Sequence, residues 1–235
     1  MSALASDAHA QPGHGSGALA GLLRRNRSWV ERKTRADPEF FTRLVEQQCP
    51  DYFWIGCSDS RVPATEIVDL DPGEMFVHRN VANLASANDP NFQAALVFAV
   101  EALRVRHILV VGHYGCGGVR AALLPPEPGP IATWLSPIRA TFRFHQASLA
   151  GMTDGESARN RLCELNVMAQ VAQLAENPAL IAAWSQGREL SLHGWIYAIR
   201  DGLLKPVCDT ISQPPDRARP TPSIFDVEWL DCNVA

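Results

Sequence analysis

At 235 residues, 46% of them hydrophobic and 20% charged, the chain is long enough to bury a real core and suggests one domain or two. Its formal net charge of −4 gives no reason to expect nucleic acid or an anionic membrane as a partner, and no apolar run approaches the roughly 18 residues a membrane span needs. Six cysteines follow a start that has no basic stretch leading into an apolar one, so the reducing cytoplasm is the expected location and a disulfide framework is not.

In chain order, residues 1–18 are rich in Ala, Gly, Ser and His and read as a disordered leader; His9 and His14 lie there without a scaffold. Residues 19–48 read as a helical arm broken near Asp37-Pro38. Leu22, Leu23, Trp29 and Val30, then Phe40, Phe41, Leu44 and Val45, recur near the helical period. Asp37 is a plausible cap with Pro38 in the first turn. Such an arm must pack on its own sheet or reach another subunit, so self-association as a dimer or tetramer is expected.

Residues 49–210 alternate strand and helix patterns. Tyr52 to Cys57 and Met75 to His78 read as short buried strands, Phe92 to Arg104 as a helix with Asn91 or Asp89 near its start, and His107 to Gly112 as the clearest strand. A strand apolar on both faces belongs in a covered parallel sheet. Gly115, Gly117 and Gly118 allow a tight turn into a helix near Val119, and the proline run 125–130 breaks it. Ile131 to Ala150 and Glu156 to Ala175 look helical, Asn177-Pro178 starts another helix, and Leu190 to Ala198 returns to strand. The expected fold class is α/β, with a central mainly parallel sheet flanked by helices. Residues 211–235 read as a proline-rich tail.

Two clusters carry the chemistry. Cys57-Ser58-Asp59-Ser60-Arg61 and His113-Tyr114-Gly115-Cys116 each lie where a strand pattern runs out. Two thiolates, an imidazole and a carboxylate make a ligand set for tetrahedral zinc, one ion per subunit. If the first strand continues, Cys57 and Asp59 point to one face. Three readings stand side by side: a catalytic zinc, a closed zinc that only holds the fold, and no metal, with Asp59 paired to Arg61 and the cysteines as core filler. Asp59 discriminates, because a carboxylate is replaceable and Arg61 can compete for it. Two thiolates leave zinc nearly neutral, so its water should ionise at higher pH than in a three-histidine site, and activity should rise with alkalinity. Cys49, Cys163, Cys208 and Cys232 have no partnered spacing and read as buried or incidental thiols. His78, His107, His145 and His193 read as structural.

The two clusters, with Gly117-Gly118 after Cys116, resemble the β-class carbonic anhydrases. Val77 to Asn83 and Leu192 to Trp195 resemble further stretches of that family, from about Leu22 to Val207 in all. The resemblance implies zinc on Cys57, His113 and Cys116, with Asp59 as an exchangeable fourth ligand and Arg61 as its partner. It implies reversible hydration of CO₂ to bicarbonate and a proton by zinc-bound hydroxide, and a substrate oxygen held by the Gly117 N–H. Trp54-Ile55-Gly56 and Val62-Pro63-Ala64 are similar to the bicarbonate-regulated (type II) subgroup. There Trp54, Val62, Arg79 and Tyr197 would line a pocket whose bicarbonate favours the closed, Asp-ligated state. Phe98 departs from that pattern, since relatives of the subgroup often carry tyrosine there. Two rivals remain: hydrolysis of carbonyl sulfide or carbon disulfide on the same site, and a zinc-binding regulatory protein without turnover.

Overall fold

The computed structural model describes residues 16–46, 48–152 and 154–215. Most of the predicted leader and the tail beyond residue 215, including Cys232, lie outside them. The chain divides into two compact units after Gln47. The first holds α1 (Ser16–Ala36) and α2 (Phe40–Glu46), so the helix begins inside the stretch expected to be leader. Trp29, Phe40 and Phe41 meet edge to face, with ring centroids 5.0–6.3 Å apart, and the Lys33 ammonium lies over Phe40. Asp37 breaks the arm by accepting the Glu39 N–H and pairing with Arg43. Leu19, Leu22 and Leu23 of α1 remain exposed.

The second unit is a five-stranded sheet in the order β2-β1-β3-β4-β5. Its strands are β1 (Tyr52–Cys57), β2 (Met75–Asn80), β3 (His107–His113), β4 (Ser191–Ala198) and β5 (Leu203–Pro206). The first four pair in parallel; β5, which no strand pattern signalled, turns back antiparallel on β4. The bridge from Leu192 to Ile211 carries this edge into the stretch expected to be tail.

Period-two alternation sends the strand side chains into two cores. Phe53, Ile55, Ile108, Val110, Leu192 and Ile196 join one; Trp54, Met75, Leu109 and Val111 join the other. Short α3 (Ala64–Ile67) follows the first ligand loop, and α4 (Pro90–Val97) starts on the Asp89 cap and runs into a π-helical turn at Phe98–Ala102. Beyond β3 come α5 (Gly117–Ala122), α6 (Pro130–Trp134), α7 (Ser136–Phe144), α8 (Gln146–Ala150), α9 (Gly155–Ala175) and α10 (Pro178–Ser185). Helix α9 is the largest cover, burying Leu162, Val167, Val171 and Leu174. Burying such side chains contributes about 1.5–3 kcal/mol each, before the entropy cost of ordering them.

Strand β2 lies to one side of β1 and β3 to the other, so chain direction across the sheet reverses between β1 and β3. Ligands of open α/β sheets bind at the carboxyl ends of strands at such a switch point. Cys57 ends β1 and His113 ends β3.

Candidate metal centre

Cys57, His113 and Cys116 bring one ligand atom each to within 4.8 Å of one another, all three buried. The sulfurs of Cys57 and Cys116 are 3.9 Å apart. Two sulfurs each about 2.3 Å from a tetrahedral zinc would stand about 3.8 Å apart. His113 Nδ1 lies 3.0 Å from the Tyr114 carbonyl oxygen, which selects the tautomer protonated there and leaves Nε2 to coordinate. Nε2 is buried and has no hydrogen-bond partner. A buried imidazole nitrogen without a partner, facing two thiols, fits a soft divalent cation. The hydrogen bond from Cys116 outweighs burial and pulls the Cys57 thiol down; the same bond, with burial, pushes Cys116 up. Ionising both sulfurs takes a cation between them.

The turn geometry follows from local sequence. Gly115 sits at φ +70°, left-handed backbone that suits glycine, and folds Cys116 back beside His113. Gly118 has a different reason: a Cβ there would come within 2.9 Å of Ala82 Cβ and Val81 Cγ1. Gly117 opens α5, two residues earlier than the expected start near Val119, and has open space around its Cα.

Asp59 does not share the face of Cys57 by strand continuation, because β1 stops at Cys57. Arg61 folds it back instead. Asp59 Oδ1 accepts from the Arg61 backbone N–H at 3.0 Å and Nε at 2.9 Å, and Oδ2 accepts from Nη2 at 2.7 Å. These hydrogen bonds hold its carboxyl well below the usual range despite partial burial, and raise Arg61 in turn. Oδ2 stands 3.8 Å from His113 Nε2, beside the three-ligand group but not part of it.

Residues 52–204 match the sequence model of the carbonic anhydrase family. The chain belongs to that family. A carbonic anhydrase of Emericella nidulans is 44% identical over 184 residues, covering 78% of this chain and 81% of its own. One of Pseudomonas aeruginosa is 37% identical, covering 72% and 78%. Among solved structures, a tetrameric β-carbonic anhydrase of Sordaria macrospora superposes with a TM-score of 0.80 at 36% identity, over 83% of this chain and all of that one. The Coccomyxa β-carbonic anhydrase, solved with acetazolamide, matches equally well at 38% identity, over 83% and 88%. This is therefore a β-class carbonic anhydrase, and its reaction is the reversible hydration of CO₂ to bicarbonate. No helix among its described residues is long and apolar enough to cross a membrane.

Around the metal position of this carbonic anhydrase the remaining predicted residues divide. Trp54, Val62 and Tyr197 pack in one apolar cluster, Trp54 wholly buried with its Nε1–H unpartnered. Arg79, opposite Gly56 in the β1–β2 register, donates from Nε to the Cys57 carbonyl at 2.8 Å and from Nη2 to the Asp59 carbonyl at 2.6 Å. Phe98 lies on the π-helical turn and packs against Phe76, ring centroids 5.8 Å apart.

Several supporting residues had no role in the sequence reading. Cys163, read as a buried or incidental thiol, is buried on α9, and burial raises its pKa to about 11 although the nearby Cys116 and Gly115 backbone N–H groups oppose the rise. Its neighbour Glu164 accepts the Tyr114 hydroxyl at 2.5 Å and pairs with Arg161 at 2.9 Å. One turn of α9 thus clamps the turn that carries His113 and Cys116. Deeper in α9, Asn166 donates to the Ala82 carbonyl and Gln170 accepts the Ala85 N–H. Together they hold a segment in which Ala82 and Asn83 adopt positive φ. Two buried amides four residues apart on an apolar helix face are the one signal that could have marked this.

Proposed function

We propose that CO₂ hydration here depends on one zinc per subunit held by Cys57, His113 and Cys116, with access to the fourth position set by Asp59 and Arg61. The observation that carries it is the bidentate Arg61 grip on a carboxylate 3.8 Å from a buried, unpartnered His113 Nε2. When bound, zinc supplies the Lewis acidity that lets a water ionise and attack carbon. The chain's residues do the rest. Asp59, kept ionised by Arg61, can only accept a proton's hydrogen bond, so it orients the nucleophilic water instead of donating to it. The Gly117 N–H, in the open first turn of α5, is the donor for a substrate oxygen.

A second level of control rests on Trp54, Val62, Arg79 and Tyr197. Bicarbonate there would accept from the unpartnered Trp54 Nε1 and compete for Arg79, which now braces the Cys57 and Asp59 carbonyls. Losing that brace would free Asp59 to leave Arg61 for the metal. The exposed Leu19, Leu22 and Leu23 of α1 support self-association as a dimer or tetramer. The test is stopped-flow CO₂ hydration on zinc-loaded protein from about pH 7 to 9, with and without bicarbonate. Activity should rise with pH, and bicarbonate should inhibit cooperatively in the parent but not in Trp54→Phe or Arg79→Ala. Purely competitive inhibition in all three removes the regulatory pocket; a flat pH profile removes the zinc charge argument.

A further inference from the structure

A cleft of about 470 Å³ opens on the turn of Tyr114, Gly115 and Cys116; Ile199, which packs against the Trp54 cluster, lines it, but Asp59, Arg61, Trp54, Val62, Arg79 and Tyr197 do not. Three separate elements send cations into it: Arg120 from α5, Arg159 from α9, and Arg200 and Lys205 from the β4–β5 hairpin. Among the described residues, no hydrogen bond or ion pair engages any of the four side chains. Two acidic groups, Glu156 and Asp201, share the rim, leaving a formal charge of +2. Asp201 is already occupied in part, its Oδ1 accepting the Leu203 N–H. Buried Val119 and Ala198 form an apolar floor.

We propose that this cleft binds a small phosphomonoester. Cations at positions 120, 159, 200 and 205, of which Arg159 is also within electrostatic reach of Asp154, repel one another, and an anion between them relieves that repulsion. A phosphomonoester carries about −1.5 to −2 at neutral pH, which matches the surplus of the rim. Its three terminal oxygens accept from several sides, as donors on three elements require, whereas a planar carboxylate offers two oxygens to one fork. The volume lies in the range of small-molecule sites, and the apolar floor takes the carbon skeleton. An occupant would rest against the turn that carries His113 and Cys116.

The test is titration calorimetry on the zinc-loaded full-length protein with glycerol 3-phosphate, inorganic phosphate and glycerol. Saturable binding of glycerol 3-phosphate is expected, tighter than that of phosphate, with no heat from glycerol. Arg159→Ala and Lys205→Ala, both on exposed side chains, should each weaken it by about tenfold, and added salt should weaken it further. Arg79→Ala should leave it unchanged. Loss of binding in Arg79→Ala with none in the cleft variants would move the anion to the proposed bicarbonate pocket and overturn the site. Phosphate binding as tightly as glycerol 3-phosphate would overturn the ligand class. Absence of saturation below about 10 mM would overturn both.

Discussion

Gly56→Ala is a small change with a large expected cost, because Trp54 and Gly56 stand on the same face of β1. A Cβ at position 56 would lie 2.2 Å from Trp54 Nε1, 2.9 Å from Cδ1 and 3.3 Å from Cε2. Ordinary contacts between such atoms are about 3.5–4.0 Å, so the indole would have to retreat by more than about 1 Å. It has no room, being fully buried against Val62, Met75, Leu109 and Val111. The strand is pinned as well, since β1 pairs with β2 on one side and β3 on the other. Overpacking costs about 1–3 kcal/mol, and with ring and backbone both confined the upper end applies. For a folded unit of this size that lowers the melting temperature by about 6–12 °C. Urea unfolding at fixed protein and zinc concentrations measures it, because zinc binding adds to apparent stability. The double variant Trp54→Ala/Gly56→Ala removes the colliding ring and should be within about 0.5 kcal/mol of Trp54→Ala alone. The reasoning fails if Gly56→Ala costs less than about 0.5 kcal/mol, or costs the same on both backgrounds. Since Gly56 precedes Cys57, hydration activity should fall with stability.

Three further outcomes are expected. Arg61→Ala should cut CO₂ hydration by at least about tenfold while zinc content stays at one per subunit, and Arg61→Lys should recover only part, for an ammonium cannot form the fork; parental activity in Arg61→Ala refutes the gate. Tyr114→Phe removes the hydroxyl that Glu164 accepts, so zinc should pass to a fluorescent chelator about 10–100 times faster, and an unchanged rate means the α9 clamp does not hold the turn. Burial lowers the pKa of His78 and His193, so the folded state favours the neutral rings. The unfolded chain therefore takes up protons first as pH falls, and the stability held above about pH 6.5 is lost below it. The urea midpoint should drop between about pH 7.5 and 5.5, more steeply in the parent than in His78→Gln; a midpoint that holds or rises contradicts this.

Much of this protein is decided by short-range chemistry, and that part was legible. Buried apolar runs at Tyr52–Cys57 and His107–His113, the Asp89 cap and the proline break after residue 124 act over a few residues, which is why they surface as strand, helix and loop. Ligand identity was legible for the same reason: Cys57, His113 and Cys116 are thiols and an imidazole wherever the chain goes, and Gly115 bends the turn locally. Only tertiary structure decided which groups those ligands meet. Strand order set Cys57 beside His113 across 56 positions of sequence, and α9 brought Cys163, Glu164 and Asn166 to the turn and to Ala82 from 47 to 84 positions away. Asp59 was expected on the face of Cys57 only if the first strand continued; β1 stops at Cys57, and Asp59 is held by the Arg61 fork, a local pairing already legible in the sequence. The same long-range packing gathered the four cations of the cleft. Backbone preferences and residue chemistry are carried by each residue, while a hydrogen bond or cleft between distant segments exists only after the sheet has closed and the helices have covered it.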